Sequence, residues 1–487
     1  MRILMVPAST LVDHDKDSLY LQMKDYADWL VRNADEPVYF YWLLMGSPSM
    51  KELQRAGEVF WKKGKIVAYQ TDSDDMYDNQ YLLPMNRIYR NFNRMRGKYV
   101  VDAVITAAAG ASLMVKRVLM DMRRRHPHPP MFVLNPNVFN FEHDWFKTMN
   151  QFERFLATGS YVQANQIVLT EEEKRQVFMN LRKYVAPSLV RKSLEENINV
   201  VTMGIRTDLI KKVKEESSGK HDKFTLFFGG RLNRVKRVGE IVEWYSKIYA
   251  RRDVQIIFST NANSSKEFSP EEYPHIKIYW NQNREQFLRR AVKAHVSIYA
   301  SRYASFPAGV FEQMYAGVVM LLPDRKWVDA IFGDREYPLK FSGKNDALQK
   351  LLWVMDNYEK AQELVSWVPD FIDEMASSDK VFQTYHDLMV EEIDEDWRGR
   401  DKIGRGNLQL VKDAAHLLGE EFSFEELEGA MKTVSDTFDW PVHMRARTLT
   451  KFEANRWLKI LGYEDQCERE MPDYKKVRES REEGELD

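Results

Sequence analysis

The feature that most restricts this chain is a series of short apolar runs without polar alternation, recurring at helix-length intervals. In order they read "RILMVP", "PVYFYWLLM", "KIVAYQT", "YVVDAVITAAA", "MFVLNP", "QIVLTE" and "INVVTMG". A strand with one wet face alternates polar and apolar side chains. Unbroken β-branched and aromatic runs instead mark strands covered on both faces, as in parallel sheets whose crossovers are helices. After "KEESSGKHDK" at residues 214–223, a charged and glycine-containing connector, the rhythm restarts with "FTLFFGG", "VQIIFST", "HIKIYW", "HVSIYAS", "VVMLLPD" and "YPLKFSG". Two doubly wound α/β domains are therefore expected, with ligands beyond the carboxyl ends of the strands and in the cleft between them.

Size agrees with that division, because 487 residues at 44% hydrophobic content exceed what one core holds, roughly 250–300 residues. The expected organisation is a Rossmann-like domain over residues 1–210, a second Rossmann-like domain over 211–398 and a helical extension over 399–487. Helical segments at 345–398 close the second domain. Beyond "DEDWRGRDKIGRGN" at 394–407 the strand runs stop. Ser423 with Glu426, and Thr450 with Glu453, form capping boxes ahead of apolar residues at helical spacing, with Gly462 as a stop. Lys and Arg total 71 against 73 Asp and Glu, so overall charge singles out no partner. Cys467, the single cysteine, excludes an internal disulfide and a cysteine-built zinc site. No apolar run approaches the ~20 residues of a spanning helix, and the N-terminal run is too short for a signal sequence, so a cytoplasmic protein with no membrane span is expected.

Two stretches carry candidate chemistry. "SRYASFPAGVFEQMYAG" (301–317) reads as a strand end, a small-residue turn and a short helix that Pro307 opens and Gly317 stops. Free N–H groups and the helix dipole at such a start attract anions, a phosphate first of all. Glu312 is its lone carboxylate; a capping or ion-paired acid is the competing reading. In "FFGGRLNRVKR" Gly229 and Gly230 permit close backbone approach, and Arg231 and Lys236 supply two cations able to neutralise a diphosphate, one as a fork and one as a point charge. A solvated surface face is the competing reading there.

With "VVTMGIRTDLI" ahead of them, these stretches resemble, in order, motifs of the retaining, nucleotide-sugar-dependent glycosyltransferases with the GT-B fold. Gly204-Ile205 matches the segment after the first domain's last strand. Gly230-Arg231-Leu232 with Lys236 matches the diphosphate motif, and Phe306 to Glu312 with Gly317 matches the glutamate motif. The resemblance covers roughly residues 100–345. It implies a nucleotide-diphosphate sugar donor and no required metal. Arg231 and Lys236 would hold the diphosphate and stabilise the leaving group, Glu312 would accept from ribose hydroxyls, and the amides of Phe306, Pro307, Ala308 and Gly309 would face phosphate and sugar. Where relatives carry the motif's first glutamate this chain has Ala304, which leaves the sugar unspecified and opens the alternative of a non-catalytic relative. A retaining transfer without a protein nucleophile needs none of the paired carboxylates of hydrolases.

The first domain should hold the acceptor. His14 and Asp13 follow the first strand, and His14 is the candidate base. "NPNVFNFEHDWF" offers Asn135, Glu142, His143 and Asp144, and "TDSDD" at 71–75 has an acid-x-acid pattern that reads as a polar loop. Arg87, Arg90 and Arg94 share a helical face with aromatic residues interleaved, and Arg123, Arg124 and Arg125 form a second basic cluster. Arg445 and Arg447, near the helix bearing Arg456, resemble a helix-turn-helix, and equally a packing or oligomerisation element. The expected acceptor is a hydroxymethylated base in double-stranded DNA, as in phage-encoded glycosyltransferases of similar fold, which requires base extrusion. The alternatives are a glycan, lipid or small-molecule acceptor, or a binding module without catalysis. A dehydrogenase ranks low because no G-x-G-x-x-G follows a strand; a nucleotide-sugar epimerase stays open, without assignable acid and base.

Overall fold

The computed structural model describes residues 2–6, 18–33, 38–42, 103–106, 131–134, 164–182, 197–261, 265, 268–301, 304, 306–399 and 426. The chain divides into two compact units, one of Met1–Met122 with Pro129–Val390 and one of Arg123–His128 with Glu391–Asp487. The first unit holds two parallel sheets.

In the first sheet β1 (Arg2–Val6), β2 (Tyr39–Trp42), β3 (Ala103–Thr106), β4 (Met131–Leu134), β5 (Asn165–Val168) and β6 (Ile198–Val200) lie in the order β2-β1-β3-β4-β5-β6. Every pair is parallel. β3, β4 and β5 are buried at every position, as unbroken apolar runs require. Two described helices belong to this half, α1 (Ser18–Asn33) and α2 (Glu171–Leu181). "KIVAYQT" lies outside the described residues; every other expected run holds a strand.

In the second sheet β7 (Thr225–Gly229), β8 (Gln255–Ser259), β9 (Ile276–Tyr279), β10 (Val296–Ile298), β11 (Val319–Pro323) and β12 (Lys340–Phe341) lie in the order β12-β11-β10-β7-β8-β9. The chain builds outward from β7 to β9, then crosses back and builds the other way from β10. The strand order thus reverses between β7 and β10, and this switch point is where a doubly wound sheet opens a crevice for a ligand. β7 and β10 pair only at Val296 with Leu226 and at Ser297 with Phe227. Beyond that, the buried Tyr245 hydroxyl donates to the Phe227 carbonyl at 2.7 Å and accepts the Ile298 N–H at 3.1 Å. A side chain therefore replaces the ladder bond where the two strands part, and satisfies the Phe227 carbonyl and the Ile298 N–H.

The helices of this half are α3 (Thr207–Glu215), α4 (Val238–Tyr249), α5 (Arg284–Ala291), α6 (Ala308–Tyr315), α7 (Lys326–Phe332), α8 (Lys344–Asp356), α9 (Tyr358–Leu364), α10 (Val368–Met375) and α11 (Ser378–Gly399). The last four occupy the segment expected to be helical. α11 also reaches the first half. Tyr385 takes a hydrogen bond from Gln22 of α1 at 3.1 Å and donates to the Thr202 carbonyl at 3.1 Å, and Tyr26 packs on the rings of Phe382 and Tyr385. Gly204 is explained by the same contact, since a Cβ there would lie 3.1 Å from the Phe382 ring and 3.3 Å from Ser378 Cα. Its neighbour Ile205 donates to the Ala376 carbonyl at 2.7 Å and accepts the Ser378 N–H at 3.0 Å, which ties the interdomain segment to the start of α11.

Of the residues expected to cap helices in the C-terminal segment, Glu426 is described and is helical; Ser423, Thr450, Glu453 and the basic residues near 445–456 lie outside the described residues. Among the described residues no helix is long and apolar enough to cross a membrane.

Candidate functional site

The first wall of the switch-point crevice is the turn after β7. Gly229 must lack a side chain because a Cβ would lie 2.3 Å from the Phe287 ring, and Gly230 has φ of 151°, outside the range open to other residues at low cost. Asn233 then caps a single 3₁₀ turn, Arg234–Lys236, through its side chain on the Lys236 N–H. Arg237 links this turn to α4 in a left-handed conformation, φ 53°, which costs a non-glycine residue about 1–2 kcal/mol. The reversal directs two consecutive cations at the end of β10. Lys236 Nζ donates to the Tyr299 hydroxyl at 2.6 Å and lies 4.7 Å from the centre of that ring. Arg237 reaches the Ala300 carbonyl at 3.4 Å while paired with Glu240. Arg231 is exposed, and its guanidinium meets no acceptor among the described residues.

The second wall is the loop after β10 and the start of α6. The helix runs from Ala308 to Tyr315 with Pro307 as N-cap, and Gly317 follows with φ of 86°, both as the sequence predicts. Phe306 is buried and stacks on Phe311 with ring centres 4.6 Å apart, anchoring the loop. The Ala308 N–H closes on the Phe306 carbonyl at 3.0 Å and the Val310 N–H on that of Pro307 at 2.7 Å. The Gly309 N–H has no acceptor among the described residues. Ala304 packs half-buried against the core of this half.

Glu312 stands in the second turn of α6 rather than at its mouth, and it has a partner that the sequence reading missed. Arg284, the first residue of α5, donates to Glu312 Oε1 from Nε at 2.7 Å and approaches the same oxygen with a terminal nitrogen at 2.5 Å. Oε2 has no partner among the described residues. The other terminal nitrogen of Arg284 donates to Asp25 of α1 at 2.6 Å, and Asp25 also accepts from Arg206 at 2.9 Å. Arg206 in turn forks onto Asp208 with two bonds of 2.9 Å. Three carboxylates and two guanidinium groups thus alternate from the first half, through the connecting segment, to α5 and α6. Burial alone would depress the Arg284 guanidinium, but the carboxylates of Glu312 and Asp25 together outweigh it and hold its proton more tightly than usual. The hydrogen bonds that Arg206 donates to Asp208, with Asp25 beside it, raise Arg206 in the same sense. No local signal exposes this chain, because Asp25 and Arg284 are 259 positions apart.

Between the two halves a cavity of about 440 Å³ opens at the carboxyl ends of β5 and β6, lined among others by Thr170, Thr202, Phe306, Ile331, Lys380 and Thr384. Phe306 thereby belongs both to the second wall and to the interdomain space. His14, Asp13, Arg87, Arg90, Arg94, Arg123, Arg124, Arg125, Asn135, Glu142, His143, Asp144 and residues 71–75 lie outside the described residues. Among the described residues no three His, Cys, Asp or Glu side chains are grouped as metal ligands.

No protein-family model matches the chain, and no curated protein matches it in sequence. Solved structures match over most of its length. Sucrose-phosphate synthase from Thermosynechococcus elongatus superposes with a TM-score of 0.59 at 11% identity, covering 80% of this chain and 98% of that one. HepE from Anabaena, solved with UDP-glucose, gives 0.55 at 10% identity, with 80% and 100% covered. A glycosyltransferase from Rickettsia africae gives 0.56 at 13% identity, with 80% and 98% covered. Identity this low carries the architecture alone, and that architecture, two parallel doubly wound sheets in sequence, is the GT-B α/β fold.

Proposed function

We propose that this protein is a glycosyltransferase that moves a sugar from a nucleotide-diphosphate donor to an acceptor hydroxyl. The observation that carries this reading is the convergence at the β7/β10 switch point of the Gly229-Gly230 turn, of Lys236 swung onto Tyr299, and of the start of α6. The Gly309 N–H at a helix start, a glycine turn that admits close approach, and nearby cations match the needs of a diphosphate. The transfer breaks the bond from the anomeric carbon to a phosphate oxygen, and negative charge grows on the departing diphosphate. A cation already held in place, as Lys236 is by Tyr299, stabilises that charge with little reorganisation.

In this assignment Lys236 and Arg231 hold the diphosphate, with Arg237 steadying the turn that presents Lys236. Glu312 accepts from a ribose hydroxyl through Oε2, the oxygen that Arg284 leaves open, so the ion pair orients the carboxylate and does not occupy it fully. His14 is the proposed base, and the proposed stereochemical course is retention. The interdomain cavity beside Phe306 receives the acceptor, which we take to be a hydroxymethylated base in double-stranded DNA on the strength of the basic clusters around Arg87–Arg94 and Arg123–Arg125.

Two measurements test this reading. Incubation with a panel of labelled nucleotide sugars and hydroxymethylated duplex DNA should yield glycosylated base, and Arg231→Ala or Lys236→Ala should lower turnover at least ~100-fold, the scale of one lost transition-state donor. Absence of transfer from every donor, with no nucleoside diphosphate bound, would sink the enzyme assignment. Duplex binding should fall steeply between 50 and 200 mM salt. Transfer to a glycan, lipid or small molecule without DNA binding at low salt would replace the acceptor while leaving the donor site standing.

A further inference from the structure

Arg284 grips Glu312 by one oxygen only. A guanidinium and a carboxylate frequently meet as two parallel forks, one N–H to each oxygen. Here Nε and a terminal nitrogen both converge on Oε1, at 2.7 and 2.5 Å, and Oε2 takes no bond among the described residues. A tilt of the guanidinium would engage both oxygens, and the contact that opposes it is Asp25. That carboxylate accepts from the remaining terminal nitrogen of Arg284 at 2.6 Å and so draws the group away from Oε2.

Asp25 is itself held from two sides. Its other oxygen accepts from Arg206 at 2.9 Å, and its neighbours on α1, Gln22 and Tyr26, seat that helix on Tyr385 and Phe382 of α11. The backbone of Arg284 is pinned as well, because Asn283 and Gln286 close a capping box at the start of α5. A cation in the first turn nevertheless opposes the helix dipole, which favours acids there. The position of Arg284 therefore does not serve α5; the two carboxylates that it bridges account for it. With side chains only 13% and 8% exposed, Asp25 and Glu312 meet little water that could compete for the guanidinium.

We infer, on the donor-site reading above, that Asp25 is a positioning residue for the nucleotide: by holding Arg284 it keeps Glu312 Oε2 open for a ribose hydroxyl. Without Asp25 the guanidinium turns onto both oxygens of Glu312 and competes with the ribose. A residue of the first half thereby sets how the second half recognises the nucleoside. Asp25→Ala tests this without stranding a charge, because Arg284 keeps Glu312 and Arg206 keeps Asp208. The full chain is titrated calorimetrically with UDP, GDP and ADP, each beside its dideoxy analogue, which lacks both ribose hydroxyls, and with inorganic pyrophosphate, which reads the diphosphate contacts alone. Wild type should bind a ribonucleotide about tenfold or more tighter than its analogue, the effect of one charge-assisted hydrogen bond. In Asp25→Ala that ratio should fall below about threefold, with pyrophosphate affinity within about twofold of wild type. Glu312→Ala should show the same low ratio, and adding Asp25→Ala to it should change nothing further, as two members of one relay require. Asp25→Asn keeps an uncharged acceptor of the same shape; it should lose part of the ratio and serves as the test where the alanine variant fails to fold. An unchanged ratio in both Asp25 variants, or equal losses for ribonucleotide, analogue and pyrophosphate, overturns the inference and leaves the donor site standing. No preference for the ribonucleotide in wild type would instead remove the Glu312 contact, and the role of Asp25 with it.

Discussion

Arg284 is the residue whose loss should be felt most widely, because one guanidinium serves carboxylates from both halves of the larger unit. Replacing it with Met keeps the length of the side chain and removes the charge. Asp25 retains Arg206, but Glu312, with a side chain only 8% exposed, is left without a cation. Breaking a buried pair from one side costs about 3–5 kcal/mol. The unit spans roughly 400 residues, and at an unfolding entropy near 2.1 cal/mol/K per residue that loss lowers its melting temperature by about 4–6 °C. The assay is a thermal melt followed by circular dichroism for wild type, Arg284→Met, Glu312→Gln and the double variant. The double variant should regain at least half of the loss, because neutralising Glu312 removes the stranded charge. A shift below 1 °C in Arg284→Met, or strict additivity in the double variant, would refute the claim that this chain of charges couples α1 to α5 and α6.

Three further outcomes follow from local geometry. Gly229→Ala places a Cβ against the Phe287 ring and should destabilise by about 1–3 kcal/mol, read from a melt; an unchanged melting temperature would mean that the ring moves freely. His295 accepts the Thr225 N–H on Nδ1 at 3.1 Å, and burial, with Lys220 and His221 adding to it, pushes the imidazole down to about 4 from its ordinary 6.5. The folded state resists a proton that the unfolded chain accepts, so this contribution is intact above pH 6.5 and is lost as the pH falls toward 4. The melting temperature of wild type should therefore drop more steeply over that window than that of His295→Gln; parallel curves would exclude it. If Glu312 accepts from the ribose as proposed, Glu312→Ala should weaken binding of a nucleoside diphosphate, titrated calorimetrically, about tenfold or more, with a smaller effect on inorganic pyrophosphate, which lacks the ribose. Equal losses for both would assign Glu312 a purely structural role.

Much of the frame was legible in the order of residues because its causes are local. An unbroken run such as "TLFFG" or "VMLLP" demands cover on both faces whatever its neighbours are, and strands with that demand, separated by helix lengths, have few parallel solutions. Pro307 and Gly317 likewise marked the ends of α6 through backbone preferences of their own. Two details were harder to read. The final strand shrank to Lys340–Phe341, preceded by Tyr337, whose hydroxyl donates to the Met320 carbonyl, and α11 turned out to serve the first half as well as the second.

What the sequence determined by itself is therefore the pair of doubly wound sheets and the small residues that shape the crevice, since periodicity and steric permission act over a few residues. The tertiary structure alone decided that Arg237 stands beside Lys236 there and what each acid is paired with. Lys236 and Arg237 reach Tyr299 and Ala300, just past β10, across 63 positions of chain, and Glu312 finds Arg284 only because α5 and α6 lie side by side, with α1 brought to them across 259 positions. Ion pairs of that kind depend on distances set after folding, and no spacing in the chain encodes them.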